Sequence, residues 1–151
     1  MQRFAPQEEQ CAREILETVP IVMRVIRKEV RKHGPRVLSV PQFRTLSFVN
    51  RRRGVSLSEA AEHIGLTLPS MSALVDGLVS RGYVTRRTHP DDRRRMNLVL
   101  TDRGEKTLRV AREGALSELS QYIRLIPQNE RGLILKAMHT LREVFPEDNP
   151  Q

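Results

Sequence analysis

The sequence is poor in the residues that most protein chemistry requires. It holds one cysteine, Cys11, so no internal disulfide and no Cys-x-x-Cys pair can exist. Its four histidines, His33, His63, His89 and His139, are scattered without a tight ligand spacing, which argues against zinc. A Gly-rich phosphate loop is missing, and nothing places a nucleophile beside a His and a carboxylate. Each lone Ser or Asp is better explained as a cap or turn. No enzyme, cofactor or metal is therefore expected. Long apolar runs are also absent: a bilayer span needs ~20 such residues, and the runs here are a few residues long. The first ten residues, MQRFAPQEEQ, lack the basic region and apolar stretch of a secretory signal. A cytoplasmic protein with no membrane segment is the expectation. A length of 151 residues fits one domain, residues 1–151.

Lysine is scarce as well, four residues against 22 arginines, and the charge is unevenly placed. From Arg36 to Leu100 there are 11 Arg, no Lys and 5 acids, so this segment holds +6 of the net +8. Its arginine forks suit phosphate and narrow-groove recognition.

Periodicity organises the chain around that basic middle. Apolar residues at Ile15, Leu16, Val19, Val22, Met23 and Ile26 predict a long first helix from Glu8 towards His33-Gly34-Pro35, with Pro20 as a kink site. Pro41 opens a second helix, with Phe43, Leu46 and Val49 on one face and Gly54 as its stop. Ser56 or Ser58 can cap a short third helix, and Gly65 stands at the turn after it. Thr67 can cap the next helix, with Pro69 in its first turn and Met71, Leu74, Val75 and Leu78 on one face. The opposite face offers Leu68, Pro69, Ser70, Ser72, Ala73, Asp76 and Gly77. This spacing predicts a helix-turn-helix, although a plain helical hairpin has a similar pattern.

The next segment separates those alternatives. Tyr83–Thr88 and Met96–Leu100 predict two strands, and His89-Pro90-Asp91-Asp92 supplies the turn. A helix-turn-helix feeding a hairpin is a winged helix, here one whose hairpin carries Arg86, Arg87, Arg93, Arg94 and Arg95 against Asp91 and Asp92. Thr101 can then cap a long helix that Pro127 breaks, and a final helix carries Leu133, Ile134, Leu135, Met138, Leu141 and Phe145. The terminal helices hold too much apolar surface for one small lobe. Pairing two chains would bury it, whereas in a monomer they would fold back on their own lobe. The fold class is mainly α (α+β): a winged helix-turn-helix lobe over 36–100, with long dimerisation helices over 8–33 and 101–145.

The segments LSVPQFRTLSFV, VSLSEAAEHIGL, LVDGLVSRGYVTRR and above all HPDDRRRMNLVLTDRG resemble the MarR family of bacterial transcriptional regulators. The wing pattern matches at Asp92, Arg93, Arg94, Leu98, Leu100, Thr101 and Gly104, and the resemblance covers roughly Glu8 to Phe145. It implies a homodimer that binds pseudo-palindromic double-stranded DNA as a regulator, expected to be a ligand-responsive repressor. The DNA-binding candidates are Thr67, Pro69, Ser70, Ser72 and Ala73 on the recognition helix, and Arg86, Arg87, Asp92, Arg93, Arg94 and Arg95 on the wing. A pocket of Met23, Arg27, Phe43, Arg44 and Phe48 would suit a small aromatic acid as effector; the same residues could equally be core edged by arginines. Cys11 reads as an inert thiol or, with a stabilised thiolate, as a redox switch. Two departures from the family pattern, His89 where Asp often precedes the Pro and the Leu68-Pro69 helix opening, bear on the operator sequence. The alternative function is an adaptor whose winged helix binds protein or RNA.

Overall fold

The computed structural model describes residues 5–32, 38–89, 91–92 and 95–145. Helix α1 runs over Pro6–Lys32 and passes through Pro20. Helix α2, Val40–Arg51, begins at a reciprocal cap: the Ser39 hydroxyl accepts from the Gln42 N–H, and the Gln42 side chain accepts from the Ser39 N–H. It ends at Arg51, three residues before the expected glycine stop. Arg52 is already extended, and Gly54, at φ 76°, instead turns the chain into a short strand, β1, Val55–Ser56.

Ser56, one of the two candidate caps, starts helix α3, Leu57–Ile64, through a second reciprocal cap with Glu59. Gly65 closes α3 in the left-handed conformation, and helix α4 follows over Leu68–Ser80. Strands β2, Val84–Thr88, and β3, Met96–Leu100, form the expected hairpin, with Val84 opposite Leu100 and Thr88 opposite Met96. The third strand was not expected: β1 pairs antiparallel with β3, Val55 against Leu98 and Ser56 against Asn97, giving the order β1-β3-β2. Helix α5, Asp102–Arg124, and helix α6, Gln128–Val144, complete the chain.

One core joins these elements within the lobe. Leu46 of α2, Val55 of β1, Met71, Val75 and Leu78 of α4, and Val84 of β2 are all less than 2% exposed. Burying each contributes ~1.5 to 3 kcal/mol, which is ample for a lobe of this size. Val30 of α1 and Leu108 and Ala111 of α5 reach this core and lock the lobe to the paired α1 and α5.

The terminal helices differ. The apolar stripe of α1 has the expected period, yet Leu16, Val19, Ile21 and Val22 are exposed. Helix α6 has no buried residue at all, and Leu133, Leu135, Met138 and Val144 face outward. No described helix is long and apolar enough to cross a membrane.

Candidate nucleic-acid interface

Helix α4 presents its outer face because its inner one is committed to the core. Thr67 caps it, the hydroxyl accepting from the Ser70 N–H at 3.4 Å and donating to Ser70 Oγ at 2.9 Å. Pro69 sits in the first turn, where its missing N–H costs nothing. Thr67, Leu68, Pro69, Ser70, Ala73 and Asp76 are exposed. Ser72 is only half-buried surface, turned partly inward, so the open face is narrower than the spacing predicts.

The wing is tied to that helix. Arg86 of β2 donates to Asp76 of α4 at 2.5 Å, so one of the expected wing arginines is engaged within the protein. The pair spans ten residues of sequence and two elements, and opposite charge is the one signal that could have suggested it. Arg87, the next residue along the strand, is exposed, as are Asp92 and Arg95. Arg93 and Arg94 lie outside the described residues.

The wing turn explains the histidine that departs from the family pattern. His89 Nδ1 accepts the Asp91 N–H at 3.2 Å, the bond that an Asp side chain makes to the residue two positions on. The His89 N–H donates to the Arg95 carbonyl at 2.8 Å, and the Arg95 N–H to the Asp92 carbonyl at 3.0 Å, which closes the ribbon.

Two joints lie at the ends of the three-stranded sheet, one beside β1 and one beyond β3. On one side Arg52 bonds Glu59 at 3.1 Å. Hydrogen bonds from Ser56, first backbone and then side chain, hold the Glu59 carboxyl below its ordinary range, with Arg52 and Arg95 adding to the effect and burial opposing it. On the other side the Thr101 hydroxyl donates to the Gly82 carbonyl at 2.5 Å and accepts from the Gly104 N–H at 3.0 Å. Gly104 lies so close to Tyr83 that a Cβ there would stand 2.0 Å from the Tyr83 carbonyl oxygen. Arg103 covers the Tyr83 ring at 5.5 Å. The Leu-Thr-x-x-Gly sequence is thus the seam between wing and α5, a role that sequence alone did not reveal.

The five expected pocket residues lie on two helices, Met23 and Arg27 on α1 and Phe43, Arg44 and Phe48 on α2. Phe48 is core, stacked on the His63 ring at 3.9 Å; Phe43 and Met23 are half-buried; Arg27 and Arg44 are exposed, Arg44 reaching the His63 carbonyl at 3.4 Å. An open, shallow surface lies elsewhere, along the end of α5, beside Glu113, Leu116, Ser120, Arg124 and Leu125. Lys32 pairs with the buried Glu29, whose hydrogen bond raises the lysine's pKa against the effect of desolvation, with Glu118 of α5 adding to the rise. Among the described residues no group of three or more His, Cys, Asp or Glu gathers as a metal site. Cys11 is exposed.

The MarR family sequence profile matches residues 38–95, which is α2 through the wing turn. The chain is 29% identical to the transcriptional repressor YetL of Bacillus subtilis over 110 residues, 72% of this chain and 66% of YetL. It is 27% identical to YfiV, a regulator of the same organism, over 69% of this chain and 65% of that protein. The chain therefore matches just under two thirds of the length of these relatives. Among solved structures, RV1404 from Mycobacterium tuberculosis superposes with a TM-score of 0.84 at 21% identity, over 98% of this chain and 100% of that one. The repressor CouR bound to a 23-mer DNA duplex superposes with a TM-score of 0.68 at 25% identity, over 93% and 99%. Over residues 38–95 the chain thus matches the MarR family, and over 69–72% of its length it is similar to helix-turn-helix transcriptional regulators.

Proposed function

We propose that this protein is a sequence-specific DNA-binding repressor that acts as a homodimer on a pseudo-palindromic operator. The observation that carries the reading is the Arg86–Asp76 pair, which fixes an exposed helix face and an arginine-bearing ribbon as one unit. Such a unit fits a duplex: the helix enters the major groove while the ribbon reaches the adjacent minor groove. In this assignment Thr67, Pro69, Ser70, Ser72 and Ala73 approach base edges. Arg94 takes the minor groove, and Arg87, Arg93 and Arg95 take phosphates, with Asp92 bracing the turn. The DNA-bound state of the similar CouR and the repressor role of YetL support the reading. Dimerisation is supported by the uncovered apolar residues of α1, α5 and α6, which a second copy would bury. The domain division follows: lobe 36–100, dimer helices 8–33 and 101–145.

Selection of sites from random duplexes by the full chain tests this. The reading expects an enriched inverted repeat bound at least ~1,000-fold more tightly than random duplex at fixed salt. Equal affinity for both would turn the account towards an RNA- or protein-binding adaptor. For the effector, the half-buried Met23 and Phe43 and the exposed guanidinium groups of Arg27 and Arg44 are the chemistry that an aromatic carboxylate would take. Salicylate that gives no heat in calorimetry and leaves operator binding unchanged would remove that part.

A further inference from the structure

The outer face of α4 has little with which to read a purine. Its exposed residues include no Arg, Lys, Asn or Gln, the side chains that make two-point contacts to G or A. The one charge, Asp76, is an anion neutralised by Arg86. Thr67 spends its hydroxyl on the cap and on Ser70, so a single hydroxyl proton, that of Ser70, is left to point outward from the first turn. What remains is apolar: Leu68, 49% exposed at the first helical position, with Pro69 and Ala73 beside it.

An exposed leucine alone is ordinary. Here it stands at the N-terminal turn of the helix, the part that meets base edges in helix-turn-helix proteins, in a turn that keeps one hydroxyl proton, that of Ser70, for outward bonding. The only apolar feature that a base pair offers in the major groove is the thymine 5-methyl group. The geometry points to Leu68, with Pro69 and Ala73, as a reader of thymine methyls, so that α4 selects its site by apolar contact and leaves hydrogen bonding to the backbone-directed arginines. The charge balance fits this occupant. A neutral apolar strip, on a helix tied through Asp76 to a strand that also exposes Arg87, matches a groove floor that is locally apolar between two phosphate rails.

The inference rests on the DNA-binding reading, and the test separates the two. The full chain first selects its operator; the thymines of each half-site are then replaced by uracil. That change removes the 5-methyl from the major groove and leaves the minor-groove edge read by the wing unchanged. Wild type should lose about fourfold in affinity per methyl buried, roughly fifteenfold for one in each half-site. Leu68→Ala, a surface change that leaves the core intact, should bind the thymine operator at the reduced affinity and lose most of the discrimination between thymine and uracil. Selective binding with no uracil effect in wild type, full discrimination retained by Leu68→Ala, or half-sites without thymine would each overturn the methyl reading while leaving DNA binding in place. Failure to enrich any sequence would overturn both.

Discussion

The lobe and the terminal helices are built from similar amounts of apolar residue, yet they use it in opposite ways. In the lobe Leu46, Val55, Met71, Val75, Leu78 and Val84 are sealed from solvent by one another. In α1, α5 and α6 and at the ends of the last two, residues such as Leu16, Leu116, Leu125, Leu133 and Phe145 stand more than 60% exposed. Scattered exposed leucines are normal, but a helix such as α6 with no fully buried residue gains little packing stability from its own chain. The difference teaches that the lobe seals its apolar residues within one chain, whereas the terminal helices leave theirs uncovered, as the surface that the proposed homodimer would bury.

Removing Gln128 to Gln151 should break the comparison most sharply. Because α6 buries nothing in its own chain, the lobe should keep its fold while the dimer is lost and operator affinity falls at least ~100-fold, the avidity of two linked half-site contacts. Sedimentation and titration of the truncated chain check both halves of that statement. Next in size is a matched pair of leucines. Leu46→Ala should cost ~2 to 5 kcal/mol at every protein concentration, while the cost of Leu135→Ala should vanish as dilution separates the chains. Denaturation over a range of concentrations distinguishes them.

Gly104→Ala tests the seam between the two regions. A methyl group 2.0 Å from the Tyr83 carbonyl oxygen must push α5 from the wing, and a loss of ~1 to 3 kcal/mol is expected, together with weaker operator binding in a chain that still dimerises. Unchanged melting and binding would remove the seam from the account. The smallest effect concerns Glu59, whose carboxyl is held below its ordinary value. A group depressed in this way contributes stability above its unfolded pKa and loses it as pH falls through the folded one. Wild type should therefore exceed Glu59→Gln in stability at neutral pH, and the gap should begin to close as pH falls to the ordinary carboxylate range and vanish once it has passed the lowered folded value.

Local chemistry was what the sequence made readable. The caps at Ser56, Thr67 and Thr101, the turn glycine Gly65 and the strand Met96–Leu100 each follow from a short-range preference, and each stands where the spacing predicts. Strand β1 escaped because two residues, Val55 and Ser56, carry no period; they are a strand only because β3 lies alongside. The sequence also does not reveal that Arg86 meets Asp76 or that Phe48 stacks on His63. In each case the missing information was a contact between elements, which periodicity does not encode.

Sedimentation equilibrium of the full chain at micromolar concentration, without DNA, tests the central contrast most directly. The account predicts a particle of twice the 17.4 kDa chain mass, with hydrogen-exchange protection throughout α6. A 17.4 kDa particle whose α6 is nevertheless protected would contradict it, because the helix would then be stable with its apolar residues uncovered.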